Sequence, residues 1–431
     1  MTDSGMNPLI LAAAAVALVV LLTTWVRVPA FISLTVGAVL VGIAARLPLL
    51  EIARAFQSGI GDTLGFVAMV IALGTVIGKL LAESGGAAVV AAAVVRAFGE
   101  RRLTWAILLA ALVVGLPVFF QVGLVLLAPI LFTLVRDTQQ PLLRLAIPLI
   151  AGLSVMHGLT PPHPGPLAAI ERLQADTGRT LLYGVIVGVP VAIVAGPAFG
   201  SFISRRVTIQ PGAIAAQLTA ASMAPRPPAL PIALVTMLLP VVLMLVAPPL
   251  LAMLASTLAA FYTLGTACGY ERARLLQFAE ESLPPVAGVL LVVGAGGGFG
   301  RLLDVAGVDT AMAQMFGGGE GATPQAMLLL GWIVAALLRL SVGSATVACV
   351  TAASIVAPIV AAMPGVNREL MVVTIGSGSL IASHVNDGGF WLVKEYLNMT
   401  VAQTVMTWTA METIVAVAGL GTALLLDLVV R

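Results

Sequence analysis

A series of apolar stretches, most of them long enough to cross a lipid bilayer, constrains the fold of this chain. They lie near residues 8–24, 29–45, 60–82, 103–117, 141–156, 181–203, 229–252, 283–303, 325–340, 369–383 and 401–426. A helix needs about 20 apolar residues to span the hydrocarbon core of a bilayer. Only 9% of the 431 residues are charged, far fewer than in soluble domains. The sequence therefore predicts an all-α, multi-pass membrane protein with about ten to twelve spanning helices.

Charge and cysteine content argue against several classes of protein. The net charge of +2 is too small to indicate a nucleic-acid partner. Cys268 and Cys349 lie in apolar surroundings and suggest neither a disulfide framework nor a metal site. Asp3 is the only charge ahead of the first apolar stretch, so we expect a membrane helix there and not a cleaved signal peptide. No cofactor is expected.

One polar segment divides the chain nearly in half. Residues 204–228 include Arg205 and Arg206, several prolines and no acidic residue. Loops rich in Lys and Arg usually face the cytoplasm. We therefore expect a cytoplasmic linker at 204–228 between an N-terminal half, 1–203, and a C-terminal half, 229–431.

Short motifs recur in the same order in the two halves. Residues 78–86 read GKLLAESGG and residues 300–308 read GRLLDVAGV, while IAGLSVMHGLTPPHPGP at 150–166 aligns with IGSGSLIASHVNDGGFW at 375–391. Repeated halves with interrupted helices are typical of secondary transporters, in which the interruptions meet at a central substrate site. These residues leave open whether the two repeats have opposite orientations in the membrane.

Each half contains a stretch in which a membrane helix cannot continue. Four prolines between residues 157 and 166 remove amide donors and clash with a preceding helical turn. The counterpart, HVNDGG, gives a second break at about 384–389. An unpaired amide in hydrocarbon costs roughly 2–7 kcal/mol, so we expect both breaks to lie inside the protein and present polar groups to a ligand. The alternative for the first break is an aqueous loop.

Two further segments predict re-entrant hairpins, at about 115–138 and about 338–362. Each has short apolar arms around a small or polar centre, Gln121 to Gly123 in the first and Ser341 to Thr346 in the second. The alternative is one ordinary helix with small residues that allow close packing. Arg339 lies beside the second centre, where a cation normally marks a functional site; the alternative is an arginine that snorkels to the membrane surface.

The titratable residues at these interruptions are candidates for binding and proton transfer. All three histidines of the chain lie in or beside the breaks, and Asp387 is the carboxylate of the second break. Histidine suits proton coupling because its charge changes near physiological pH. We expect proton coupling through Asp387, His157 or His384. The predicted substrate-binding residues are His157, Thr160, His163, Gln121, Gly123, Ser341, Gly343, Ser344, Thr346, His384, Asn386 and Arg339.

HGLTPPHPGP at 157–166, GSATVA at 343–348 and SHVNDGGFWLVKEY at 383–396 resemble the gluconate permease (GntP) family of bacterial secondary transporters. The order of the motifs and the length of the whole chain fit this resemblance. The family in turn resembles the ion transporter superfamily. It implies two inverted repeats, each with a re-entrant hairpin and a broken helix, in a homodimer of the bacterial inner membrane. It further implies an elevator mechanism and proton-coupled import of gluconate or a related sugar acid.

Gln121 departs from this resemblance, because family members commonly carry a glutamate in its place. Glutamine cannot ionise, so proton coupling would have to use Asp387 or a histidine, or be lost. Import of another hydroxylated acid such as D-serine, and uncoupled or sodium-coupled transport, remain alternatives. A membrane-embedded hydrolase is a remote one, with Ser383 beside His384 as its nearest candidate nucleophile. We do not expect an enzyme.

Overall fold

Helices follow one another along the described part of the chain, which in this computed structural model comprises residues 8–212, 226–308, 311, 323–363 and 365–430. The N-terminal half contains α1 (Pro8–Thr24), α2 (Ala30–Ala44), α3 (Leu49–Glu83), α4 (Gly86–Phe98), α5 (Leu103–Gly115), α6 (Phe120–Thr138), α7 (Leu142–Leu159), α8 (Pro164–Leu173) and α9 (Thr177–Ile203). The C-terminal half contains α10 (Leu230–Met244), α11 (Pro249–Cys268), α12 (Arg272–Ser282), α13 (Pro284–Val305), α14 (Pro324–Val342), α15 (Ala345–Ala362), α16 (Arg368–Gly378), α17 (Gly388–Tyr396) and α18 (Val401–Val430).

The helices of the described residues are long and apolar enough for a polytopic membrane protein, which confirms the predicted fold class. Eight spans, four of them containing interruptions or changes of helix type, meet a membrane-crossing length and hydropathy, and six apolar helices are shorter. The total of ten to twelve crossings stays a prediction. Most of the predicted linker, residues 213–225, lies outside the described residues.

Both halves have the same order of interruptions. The turn between α5 and α6 is followed by the break between α7 and α8, and the turn between α14 and α15 is followed by the break between α16 and α17. A long helix with a π-helical turn then ends each half, α9 in the first and α18 in the second. This shared order supports a repeat, while inversion of the two halves stays a prediction.

The interruptions predicted as hairpin centres lie at different residues in the structure. The first is a turn at residues 116–119, so Gln121 and Gly123 belong to the first turn of α6, a continuous helix, and not to a tip between two short arms. Pro117 explains the shift, because proline disrupts a helix over the preceding turn. The second is narrower than predicted and comprises Gly343 and Ser344 alone.

Gly343 and Ser344 end one helix and begin the next. Gly343 has φ 76°, a left-handed conformation that favours glycine after a helix C-terminus. The Ser344 side chain then accepts a hydrogen bond from the Val347 amide and caps α15. A Cβ at Gly343 would clash with the carbonyl oxygen of Asn386, so this turn packs directly on the second break.

The two predicted breaks are present, with altered bounds. The first comprises residues 160–163, where Thr160 and His163 are fully buried, and this burial rules out the aqueous loop. The second comprises residues 379–387 and begins earlier than predicted, since α16 ends at Gly378. Glycine and serine in this stretch weaken the helix, and the Ser379 hydroxyl bonds back to the Gly376 carbonyl.

The helices before the two breaks cross at two glycines. A Cβ at Gly376 of α16 would clash with the carbonyl oxygen of Gly158 in α7, and a Cβ at Gly158 would touch Leu380. Small residues allow this close approach of membrane helices. The crossing brings both breaks to the centre of the molecule.

Buried apolar side chains form two clusters of unequal size. The smaller cluster joins α1, α2, the start of α3 and part of α13, with Val19, Leu34, Ile52 and Phe299 among its members. The larger cluster includes the helices that carry both breaks. The interrupted helices therefore belong largely to the larger cluster, and the smaller cluster packs beside it.

Candidate functional site

Two cavities meet where the turns and breaks converge. The larger, of about 440 Å³, lies between α3, α12, α13 and the start of α6. The smaller, of about 80 Å³, lies among α7, α14, α18 and the second break. Gln121, His157 and Thr346 line both. The volume of the larger cavity falls in the range that holds small ligands.

Four helices point their N-termini at these cavities. Phe120 and Gln121 begin α6, Pro164 begins α8, Ala345 and Thr346 begin α15, and Gly389 lies in the first turn of α17; all of them line a cavity. Neither α6 nor α8 has a side-chain cap. The N-terminus of a helix carries partial positive charge and unpaired amides, so the converged termini suit an anion.

Arg339 and Asp387 form a buried ion pair in the smaller cavity. Nη2 of Arg339 donates to Oδ2 of Asp387 at 2.5 Å, and only 3% of the Arg339 side chain is exposed. This burial excludes a snorkelling arginine. The pair is incomplete, because Nε and Nη1 of Arg339 are buried without a hydrogen-bond partner. A buried guanidinium with free donors, lining a cavity, is suited to a carboxylate ligand.

Asp387 also organises the second break. Its Oδ1 accepts from the Gly389 amide at 2.9 Å and thereby caps α17. The Ser383 hydroxyl donates to Oδ2, and the indole Nε1 of Trp408 donates to that hydroxyl at 2.7 Å. Ser383 is thus bonded to a carboxylate, while Nδ1 of His384 lies 2.8 Å from the Ala382 carbonyl oxygen. No hydrogen bond joins Ser383 to His384 in the part of the chain that the structure describes.

Glu412 of α18 is a second carboxylate in the smaller cavity. Its side chain is 1% exposed, and neither oxygen has a hydrogen bond of normal geometry among the described residues. The Ser154 hydroxyl lies near enough to interact with it, and Arg339 and Asp387 act on it electrostatically. Burial of an unpaired charge is costly, so the charge state of Glu412 depends on what else occupies the cavity.

His157 and His163 form a hydrogen-bonded chain that ends on the backbone. Nε2 of His163 lies 2.8 Å from the Gly115 carbonyl oxygen, and because a carbonyl only accepts, this nitrogen carries a proton. Nδ1 of His163 lies 3.3 Å from Nδ1 of His157, so one of these nitrogens donates and the other accepts. At most one ring can be a cation. With both rings neutral, Nδ1 of His157 donates to His163, and Nε2 of His157 is left without a proton and can accept a hydrogen bond from a ligand hydroxyl.

The structure brings together six of the predicted residues around the cavities: Gln121, His157, Arg339, Ser344, Thr346 and Asp387. Others lie behind them. Thr160 donates to the Met156 carbonyl, Gly123 packs on Leu153, and His163 supports His157.

The remaining predicted residues do not line either cavity. Ser341 donates to the Leu337 carbonyl at 2.9 Å, and Asn386 donates to the Leu340 carbonyl at 3.0 Å. Gly343 forms the turn, and His384 bonds to the backbone. Their roles in binding stay predictions.

Sequence reasoning missed Glu412, Ser154 and Trp408. Glu412 is a carboxylate inside the apolar stretch 401–426, and an ionisable residue within a membrane helix is by itself a signal of function. Ser154 and Trp408 carry no comparable sequence signal, since serine and tryptophan are ordinary in membrane helices.

A further charged group lies on the wall of the larger cavity. Nζ of Lys79 is 2.7 Å from Glu83 Oε1 and 3.0 Å from Glu281 Oε2. The hydrogen bond from Lys79 lowers the pKa of Glu281, which lies on the amphipathic helix α12. These residues join α3 to α12 beside the ligand space.

Comparison with known proteins identifies relatives over almost the full chain. The family described as GntP family permease matches residues 7–248 and 245–429. A gluconate permease of Pseudomonas aeruginosa is 44% identical over 96% of this chain and 96% of its own length. The high-affinity gluconate transporter of Escherichia coli is 37% identical, with coverage of 98% and 100%. The Gnt-II system L-idonate transporter of Escherichia coli is 38% identical, with coverage of 96% and 97%.

A solved structure has the same fold. The YdaH transporter of Alcanivorax borkumensis, described as having an unusual topology, matches 98% of both chains with a TM-score of 0.65. Its sequence identity is 15%, so the likeness concerns the fold alone.

Proposed function

The chain belongs to the GntP permease family, and from this premise we propose that it imports gluconate or a related sugar acid. Relatives over nearly the full length are named for gluconate and for L-idonate. Both compounds are aldonates, straight-chain polyols that end in a carboxylate. The site has groups suited to each part of such a molecule.

The observation that carries this proposal is the pair of unpartnered donors on buried Arg339. Nε and Nη1 point to different edges of the guanidinium, so a carboxylate oxygen at one and a hydroxyl of the same substrate at the other satisfy both, next to the positive ends of α6, α15 and α17. Gln121, His157, Ser344 and Thr346 then face the hydroxyl groups, which need both donors and acceptors. The amide, imidazole and hydroxyl groups supply both.

We further propose that import is coupled to protons and uses an elevator motion in a homodimer. The turns, both breaks and most of the cavity wall belong to helices of the larger apolar cluster, so they are suited to move together. The smaller cluster around α1, α2 and part of α13 is suited to stay fixed at the subunit interface. Inverted repeats are the architecture in which such motion alternates access to a central site.

Uptake by purified protein in proteoliposomes tests this function. Labelled gluconate is expected to accumulate under an inward proton gradient, and unlabelled gluconate and idonate are expected to compete with it. D-serine and uronates serve as comparison substrates. Gluconate that neither accumulates nor competes would contradict the substrate, and accumulation that requires a sodium gradient would contradict proton coupling.

A further inference from the structure

Glu412 is the carboxylate of this site that the binding scheme above leaves without a role. It is almost fully buried, it lines the smaller cavity together with Arg339 and Asp387, and its oxygens have no hydrogen bond of normal geometry among the described residues. Asp387, by contrast, is held by Arg339, Ser383 and the Gly389 amide. Asp387 therefore has reason to stay ionised, and Glu412 does not.

The charges around the cavity limit when an anion can enter. The titratable groups that line it among the described residues are His157 on α7, Arg339 on α14, Asp387 in the second break and Glu412 on α18. Arg339 offsets Asp387, and His157 is counted here as neutral. An ionised Glu412 then gives the cavity a net negative charge, and a substrate carboxylate adds another with no cation to offset either.

Protonation of Glu412 removes this conflict. The cavity is then neutral before the substrate enters, and the substrate carboxylate shares Arg339 with Asp387. A protonated carboxyl also becomes a donor, which an aldonate hydroxyl or carboxylate can accept. Like charges in a poorly solvated cavity repel strongly, so substrate and an ionised Glu412 exclude one another.

We propose that Glu412 is the proton-coupling carboxylate of this transporter: it binds a proton when the anionic substrate binds and releases it when the substrate leaves. This inference rests on the proposed sugar-acid transport. In each cycle a proton passes from one side to Glu412 and from Glu412 to the other side, so atoms and charge balance. By linkage, substrate binding takes up about one proton at a pH where Glu412 is ionised in the empty site.

The decisive comparison is Glu412→Gln against Asp427→Asn. Glutamine has nearly the same shape as protonated glutamate and cannot release a proton. Asp427 is an equally buried acid on the same helix and lies outside both cavities. It accepts a hydrogen bond from the side-chain amide of Gln325, and the side-chain oxygen of an asparagine can accept the same bond. Both variants and the unaltered protein are reconstituted, and two quantities are measured: gluconate accumulation under a proton gradient, and gluconate exchange at equal pH on both sides.

We expect E412Q to exchange gluconate while the stimulation by a proton gradient falls to about one-fold, meaning no accumulation. D427N is expected to accumulate gluconate like the unaltered protein. Calorimetry in buffers of different ionisation enthalpy is expected to show proton uptake on binding for the unaltered protein and for D427N, and none for E412Q.

Two outcomes contradict the inference separately from the proposed function. E412Q that still accumulates gluconate, or binds it with the same proton uptake, overturns the role of Glu412 while sugar-acid transport stands. An unaltered protein that neither binds nor exchanges gluconate removes the proposed function itself. Where E412Q does not fold, Glu412→Asp decides: a shifted pH dependence of accumulation supports the inference, and an unchanged one contradicts it.

Discussion

Arg339 and Asp387 form a buried ion pair that is only partly satisfied, which gives a sharp test of carboxylate recognition. Arg339→Gln alone leaves Asp387 without its cation, and breaking a buried pair costs about 3–5 kcal/mol. The double variant Arg339→Gln with Asp387→Asn removes both charges together. Hydrogen bonds to a charged group contribute about 1.5–3 kcal/mol. We therefore expect the folded double variant to bind gluconate about 10- to 100-fold more weakly.

Equilibrium binding in detergent, with thermal unfolding as a check of folding, measures this effect. Arg339→Lys with Asp387 intact is the companion variant, since it keeps the charge and loses the planar pair of donors. It is expected to fold and to bind more weakly than the unaltered protein. Affinity of the double variant equal to that of the unaltered protein would place the substrate carboxylate elsewhere.

Gln121 lines both cavities, and an acid in its place is expected to make binding more sensitive to pH. In Gln121→Glu the new carboxylate ionises as pH rises and repels the bound anion. The KM for gluconate should therefore rise more steeply with pH than in the unaltered protein. Gln403→Glu is the control, because Gln403 lies outside the cavities. The side-chain oxygen of Gln403 accepts a hydrogen bond from the Thr400 amide, and a glutamate oxygen can accept the same bond.

Measurement of initial uptake rates across pH decides between these expectations. Parallel KM profiles for Gln121→Glu and the unaltered protein would mean that residue 121 does not face the substrate anion.

Single residues were predicted with mixed success. The charged and polar residues of the breaks and turns stood out because a polar group is rare within apolar sequence, and six of them line the cavities. Thr160, His384 and Asn386 shared the same signal, yet their side chains bond to backbone carbonyl groups. Sequence does not reveal which way a side chain points once the helix has stopped.

The crossing of α7 and α16 is the element on which the position of both breaks depends. In Gly376→Ala the new methyl group would meet the Gly158 carbonyl oxygen, and backbone does not move aside easily. Overpacking of this kind costs about 1–3 kcal/mol, so we expect a lower midpoint of thermal unfolding. Gly61→Ala on α3 is the matched control, because a Cβ there meets no atom within 4 Å.

Unfolding in detergent, monitored by circular dichroism, is the measurement, with uptake measured beside it. Gly61→Ala should leave the midpoint unchanged or slightly raised, as alanine favours a helix over glycine. Equal midpoints for Gly376→Ala and the unaltered protein would contradict a tight crossing.

At the scale of elements, the sequence indicated the two breaks and the two turns but not their bounds. Proline identified the first break, and HVNDGG, its counterpart in the second half, identified the second. The bounds shifted because Pro117 and Gly378 end helices earlier than apolar content suggests. Hydrophobicity shows where a chain can cross a membrane, while local backbone chemistry decides where the helix stops.

The whole molecule combines the smaller apolar cluster, around α1, α2 and part of α13, with the larger cluster, whose helices carry the site. One contact between α8 and α13 tests the elevator proposal. Arg172 of α8 donates to both carboxylate oxygens of Asp304 of α13, at 2.7 and 2.8 Å. A short reversible cross-link between cysteines at 172 and 304 should stop uptake, and reduction should restore it. The native cysteines, Cys268 and Cys349, are buried and are first replaced.

A second cysteine pair provides the control. Gln325 of α14 and Asp427 of α18 are in hydrogen-bond contact between two helices of the larger cluster, at 2.9 Å. A cross-link between these positions should leave uptake intact. Full uptake with the 172 to 304 cross-link in place would show that α8 and α13 do not separate during transport.

For the whole molecule, the family motifs predicted more than hydrophobicity and helix breaks did. Apolar stretches and two matched breaks indicated a multi-pass secondary transporter, and the motifs indicated the GntP family, which the comparisons confirm. The packing of two clusters against each other was not predictable, because long-range contacts among apolar helices leave little trace in their sequences.

The unequal sizes of the two cavities have a consequence for substrate specificity. The smaller one, of about 80 Å³ against about 440 Å³ for the larger, contains Arg339 and therefore suits the carboxylate end of an aldonate. The rest of an aldonate must extend into the larger, mostly apolar space. We expect the transporter to be selective for the carboxylate and the first hydroxyl of its substrate. We expect it to tolerate changes of stereochemistry or chain length at the far end. Sugar acids that differ only at that distal end should therefore share this permease.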